Sequence, residues 1–458
     1  MKDRRSEVRS TAHARPQLRF EDQPLTSFAG LVIFQKFFAS IDLKSRLRRC
    51  FGPVNPGRAF HPATVFLQLI VHLLLGFREL QDCRYYRDDP LVQRLLGLRR
   101  LPTVATISRV LKQATAQSVD ALRRFLRDRV LDGLRTFQPP RITLDFDGSV
   151  LSTTRRAQGT AVGFNKKKKG ARSYYPLFCT IAQTGQVLDF LYRSGNVHDS
   201  HGAREFILEC IQAVREALPQ ARIETRMDSA FFSDEIVSAL QEQGVEFTLS
   251  VPFERFVELK GIIETRRAWW PLGVDRWGFH LWWKPKAWNR SFRFVFVRTR
   301  VKKQFKGPIQ LDLFVPHEYG YEFKVILTNK ALSIAKVVPY HEGRGSQEGI
   351  FAELKTHCQA GYVPVRTYLG NQMYLLAGIL AHNLMREFQM LTTPRCRGTT
   401  EKRTALWAFE RLDTLRDTLF RRAGRMTRPQ GKLTLTIGAC SWIKNRLLQC
   451  LVALDNAA

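Results

Sequence analysis

An α/β fold, a mixed sheet flanked by helices, is predicted by the middle of this 458-residue chain, and three features predict it. Three short alternating segments follow one another from residue 142, helical and strand patterns then take turns to residue 251, and the first and fourth strand patterns both carry aspartate at their ends. Residues 142–150 (ITLDFDGSV), 174–182 and 186–193 read as strands, 204–218 as a helix, 222–228 as a fourth strand, 234–242 as a helix and 245–251 as a fifth strand. Three meandering strands, a helix, a strand, a helix and a strand is the order of the RNase H-like fold. In that order the first and fourth strands lie side by side.

The remaining elements follow in order. Residues 1–138 read as a basic helical region, with apolar residues on a 3.6-residue rhythm at 28–41 and 62–75 and apolar residues alternating with Arg123, Arg124, Arg127 and Arg129 at 118–134. Within it, 101–112 opens with Pro102 and carries Arg109 and Lys112, so it suits either a helix that enters a DNA groove or a plain bundle helix. Pro139-Pro140 ends that pattern, and 139–251 reads as the first part of the RNase H-like core. Residues 252–322 read as a β-rich insertion with strands at 292–297 and 311–315, six tryptophans between 269 and 288, and Lys302, Lys303 and Lys306. Most tryptophans so placed are core, while Trp282, Trp283 and Trp288 are the candidates to stack on an unpaired base. The second part of the core, 323–390, closes with a long apolar helix at 371–389. The tail, 391–458, holds thirteen Lys/Arg against four Asp/Glu up to residue 450, with helical rhythm at 405–420; it is either a solvated bundle or a second DNA-contacting surface, and charge favours contact.

Composition narrows the partner. A net charge of +31, from 72 Lys+Arg and 41 Asp+Glu spread along the chain, is the footprint of a polyanion partner. Lys166, Lys167, Lys168 and Lys169 form the densest run. Eight cysteines without a C-x-x-C pair suggest neither a disulfide framework nor a zinc site, which fits a reducing cytoplasm. The polar N-terminus and the longest apolar run, broken by Gln68 and His72, predict neither a secretory signal nor a membrane span.

Acids and cations converge on three segments. Asp145 and Asp147 share one face of the first strand, Asp228 closes the fourth, and the segment 341–355 (HEGRGSQEGIFAELK) places Arg344, Glu348 and Lys355 within roughly 40° of one another on a helix. Taken singly, a strand-end aspartate is usually a turn cap, and a charged stripe is as often a solvated face. Three acids together can hold divalent ions.

With these residues in view, the chain resembles the DDE transposases of bacterial insertion sequences, in the group marked by a Y-R-E-K signature and most like insertion-sequence family thirteen-eighty. The resemblance rests on GFRELQDCRYYRDDP (76–90), TISR (106–109), LDFDGS (144–149), VGFN…SYYPL (162–177), GQVLDFLYRSGNVHDSHGA (185–203), RMDSAFFS (226–233), ILTN (326–329) and EGRGSQEGIFAELK (342–355). The family pattern D-x-[ST] selects Asp147 over Asp145, and R-x-D-S selects Asp228. The signature's tyrosine position holds His341, with Tyr340 one place earlier. The resemblance implies cut-and-paste movement by a homodimer bound to double-stranded DNA, both the terminal inverted repeats and the target. It also implies that Asp147, Asp228 and Glu348 hold two Mg²⁺ ions (Mn²⁺ substituting) while Arg344, Lys355 and His341 hold DNA. A nuclease or junction resolvase of the same fold would keep the acids without joining ends, and a non-catalytic DNA-binding relative would lose one of them.

Overall fold

The computed structural model describes residues 15–52, 59–163, 165, 168–198, 200–301, 320–438 and 440–456; Lys166, Lys167, Lys302, Lys303, Lys306 and the strand expected at 311–315 lie outside the described residues. The N-terminal region is helical, as its periodicity predicts, and includes α1 (Val32–Ser40), α2 (Pro62–Leu74), α3 (Val104–Lys112) and α4 (Ala116–Phe137). Pro62 occupies the first turn of α2 and the His61 side chain accepts from the Ala63 amide, so this helix starts where an N–H is dispensable. α4 begins on a capping box, Thr115 with Ser118, and stops at Gln138 in the left-handed region (φ 44°) just before the proline pair.

A nine-stranded sheet follows: β1 (Arg141–Gly148), β2 (Leu177–Ile181), β3 (Gln186–Leu191), β4 (Arg222–Met227), β5 (Glu246–Val251), β6 (Trp270–Gly273), β7 (Arg276–Trp283), β8 (Phe292–Arg300) and β9 (Tyr321–Thr328). Their order is β6-β7-β8-β9-β5-β4-β1-β2-β3. β1 pairs in parallel with β4, and β4 with β5; the other pairs are antiparallel. Helices α5 (Ala203–Ala217) and α6 (Asp234–Glu242) make the crossovers. The first and fourth strand patterns therefore do lie side by side. The β-rich stretch after residue 251 differs from the inserted domain expected for 252–322: β6, β7 and β8 continue the same sheet through β9, because the alternating residues of β8 and β9 pair over eight rungs.

Beyond the sheet come α7 (Ile334–Glu342), α8 (Ser346–Thr356), α9 (Tyr368–Thr392) and α10 (Ser441–Asn456). α9 is buried along most of its length and joins the two chain ends in one core: the Phe34 ring of α1 lies 5.4 Å from Phe388 of α9 and 4.9 Å from Phe420 of the tail. The tail is thus not a separate helical unit. The helix expected at 405–420 is confined to Leu412–Leu415 and a wide turn, Arg416–Phe420, because Arg416 is pulled inward to donate to the carbonyls of Leu74 (2.6 Å), Leu73 (2.7 Å) and His357. Two of these carbonyls belong to the last turn of α2, and burial lowers the Arg416 pKa to about 10. No helix among the described residues is long and apolar enough to cross a membrane.

Three buried histidines give the fold a pH limit. Burial lowers His72 and His382 to about 4 and holds His341 well below its ordinary value. The unfolded chain takes up these protons near pH 6.5 and the folded chain does not, so stability is complete above that value and falls as pH drops from about 6.5 towards 4. Urea midpoints should decline steadily between pH 7.5 and 5.5, where few other groups titrate. Equal midpoints at both ends would contradict this.

Candidate active site

β1 and β4 face each other through two sets of side chains separated by the period-two alternation of strands. Ile142, Leu144 and Phe146 of β1 join the apolar cluster under the sheet. Thr143, Asp145 and Asp147 point to the other face, opposite Glu224, Arg226 and Asp228 of the β4 segment. The parallel register pairs Thr143 with Glu224 and Asp145 with Arg226 and ends at Phe146 with Met227; Asp147 and Asp228 are the next residues on the two chains.

The first two rungs are satisfied. The Thr143 hydroxyl donates to Glu224 Oε1 at 2.8 Å, and the fully buried Arg226 grips Asp145 with Nε at 2.6 Å and Nη2 at 2.7 Å. Glu224 also receives Lys330 Nζ at 2.8 Å and Arg403 Nε at 2.6 Å; burial alone would push this carboxyl up, and the two cations outweigh it and hold it below the usual range. Arg226 spends its remaining donor, Nη1, on the carbonyls of Tyr340 (3.0 Å) and Lys402 (2.7 Å). Burial works against its charge, but the facing carboxylate raises its pKa above the ordinary value.

Past the last paired rung each strand runs into an aspartate. Asp147 Oδ1 accepts from the Gly148 amide at 2.8 Å, and Asp228 Oδ1 caps the turn Ser229–Phe231 through the Ala230 amide at 3.0 Å. Like charges at the same end of neighbouring strands repel, so this end of the ladder calls for a cation. Arg344 answers in part: its Nη1 donates to Asp147 Oδ2 at 3.1 Å, both side chains being about one-fifth exposed (21% and 20%).

The segment 341–355 reaches this end of the ladder as two α-helices joined by a 3₁₀ turn, not as one regular helix. α7 ends at Glu342, a 3₁₀ turn spans Gly343–Gly345, and α8 starts at Ser346. Gly343 allows the close approach, since a Cβ there would stand 1.9 Å from Lys402 O and 2.2 Å from Arg226 Nη1. Gln347 Nε2 donates to Asp145 O at 2.9 Å, which ties the first turn of α8 to β1. Glu348 follows at once and is exposed, and Lys355 lies half-buried in the last turn. The other nearby acids are engaged: Glu342 pairs with Arg276 at 3.0 Å, and the buried Glu353 with Arg386 at 2.5 Å. Among the described residues no group of three His, Cys, Asp or Glu is close enough to hold a metal ion. The two aspartates end adjacent strands, and Glu348 stands one residue after the Gln347 that ties α8 to β1.

Several residues expected at DNA are placed elsewhere. His341 is buried, with Nε2 2.8 Å from Ser250 Oγ and Nδ1 3.0 Å from Thr248 Oγ1, so its ring is a bolt between α7 and β5 and offers no surface to DNA. Tyr340 is buried too, with Lys330 (4.4 Å), Arg226 (5.4 Å) and Arg403 (5.5 Å) around its ring. Trp288 stacks on Phe232 at 4.8 Å in the core, and Trp283 packs edge-on against Phe294 at 5.0 Å. Trp282, one residue along β7, turns to solvent at 67% exposure, as do Lys168, Lys169 and Arg109. Arg226, Lys330 and Arg403 were not singled out from the sequence, although Arg226 stands two residues before Asp228, as Asp145 stands two before Asp147. That shared spacing is the signal that would have found the second rung.

A family model described as transposase DDE domain group 1 matches residues 9–458. Among solved structures, the piggyBac transposase synaptic complex with hairpin DNA aligns at a TM-score of 0.43 and 11% identity, covering 85% of this chain and 80% of that one. The Mos1 transposase paired-end complex with left transposon end and the Mos1 mariner paired end complex with Mn each align at a TM-score of 0.17 and 11% identity, over 43% of this chain and 60% of theirs. Among curated proteins the sequence has no match.

Proposed function

Because the chain belongs to the transposases with a DDE domain of group 1, we propose that it binds the terminal inverted repeats of a bacterial insertion sequence and cuts and joins DNA with Asp147, Asp228 and Glu348. The Y-R-E-K group and insertion-sequence family thirteen-eighty are the finer assignment, and a homodimer on DNA the working assembly. The observation that carries this reading is the end of the β1–β4 ladder in the interior of the sheet, where an aspartate follows the last paired rung on each strand and a cation is already drawn to one of them. A ladder built for stability alone would end as its first two rungs do, acid against base or hydroxyl.

The donors fit a hard divalent ion. Three carboxylates without His or Cys suit Mg²⁺, with Mn²⁺ substituting, better than zinc. Bound by Asp147, Asp228 and Glu348, such ions would supply Lewis-acid charge at the phosphodiester being cut or joined. Asp147 and Asp228 are held ready by backbone amides, and Glu348 would be brought in by α8. Arg344 would exchange the Asp147 carboxylate for a DNA phosphate, and Lys355 would hold a neighbouring phosphate as a point charge.

Incubation of the purified protein and Mg²⁺ with a labelled element end and a target plasmid tests this. Joined product is expected; cut ends that are never joined would mean a nuclease. Binding of the end without metal should also weaken steeply with salt, log K falling by about 0.9 per phosphate contact, and a flat titration would contradict the basic surface.

A further inference from the structure

Just past Asp147 the chain runs through Gly148 and Ser149 along one wall of a cleft of about 770 Å³. Three cations from distant parts of the sequence line it: Arg78 after α2, Lys168 in the turn between the short strands Ala161–Val162 and Arg172–Tyr174, and Lys355 at the end of α8. Tyr175 and Tyr362 add rings, and among the described residues no Asp or Glu lines it.

The walls are braced from behind. The Tyr374 hydroxyl of α9 donates to Arg78 O at 3.1 Å, fixing the backbone from which that side chain extends. The Arg78 guanidinium lies 5.5 Å from the centre of the Tyr362 ring; Arg155 lies at 5.5 Å from the same ring and donates to Pro364 O at 2.7 Å. On the opposite side the buried Asn165 accepts from the Lys168 amide at 3.1 Å and donates to Ser152 Oγ at 2.8 Å. None of these contacts is needed to hold the carboxylate ladder.

Three cations and no acid suit a polyanion. A cleft of this size matches the roughly 300–1,000 Å³ of sites that hold small ligands, room for a short stretch of one strand and too little for a duplex. The geometry points to a single-strand channel: the cleft takes the phosphodiester backbone of the unpaired DNA strand leading away from Asp147, with phosphates on Arg78, Lys168 and Lys355 and an unstacked base on Tyr362. This rests on the reading of the protein as a DNA-cutting enzyme, and adds which part of the substrate lies where. Aromatic stacking and cation contacts of this kind bind single strands with little sequence preference.

The test compares two probes in EDTA by fluorescence anisotropy: a blunt duplex element end, and the same end with a short single-stranded extension. The extended end should bind about tenfold more tightly, and R78Q, which alters one exposed residue, should lose most of that advantage while blunt-end affinity changes less than twofold. The salt slope for the extended end should also fall by roughly 0.7, the value for one contact removed. Equal binding of both probes by the parent protein, or equal weakening of both in the variant, overturns the inference. Since no metal or cleavage is involved, a protein that joins DNA yet shows no extension advantage loses only this inference, and one that shows the advantage yet never cuts loses only the catalytic reading.

Discussion

Glu348→Gln is expected to bind a labelled element end as tightly as the parent and to cut it slower by orders of magnitude, as are Asp147→Asn and Asp228→Asn. Each substitution removes a charge while keeping shape and hydrogen bonding, so binding through the basic surfaces should survive. The neighbouring acids supply the contrast. Glu353 is buried against Arg386, so Glu353→Gln should melt at a lower temperature yet keep cleavage within about tenfold. Glu342, turned to Arg276, should likewise tolerate Gln without loss of cleavage chemistry. The measurement is cleavage of a radiolabelled end at matched occupancy with Mg²⁺, alongside thermal melting. Robust cutting by Glu348→Gln would assign the third carboxylate to another residue.

Arg226→Met should cost about 3–5 kcal/mol of stability, the range for removing one partner from a buried ion pair. It strands Asp145 in the sheet interior and frees the carbonyls of Tyr340 and Lys402. Restoring balance with Asp145→Leu on the same chain should recover much of that loss, because two apolar side chains leave no unpaired charge. Urea unfolding of the parent, the single variant and the double variant decides it; a single variant within 1 kcal/mol of the parent would mean that the pair contributes little.

The sheet order was legible because it rests on period-two alternation and on turn signals between short segments. Asp147 and Asp228 at neighbouring strand ends followed from that order. What the sequence hid was long-range exchange between segments of similar composition. The strands β7 and β8 read as an insertion since no local pattern says that β9 will join them to β5. The tail read as DNA-contacting on its charge, although Arg403 and Arg416 spend theirs on Glu224 and on the end of α2. His341 stood among the DNA-holding residues only through its place in the signature, and the 3₁₀ turn Gly343–Gly345 separates its helix, α7, from the one that carries Glu348 and Lys355.

The bond from Arg226 to Lys402 O spans 176 residues. During synthesis the strand bearing Arg226 leaves the ribosome long before the carbonyl that completes its coordination, so the centre of the sheet stays open until the chain has grown past Lys402. Closure of so wide a loop is slow compared with pairing of the meandering strands. A product cut short before that point, by a premature stop or a protease, therefore carries both aspartates on adjacent strands but not the brace behind them.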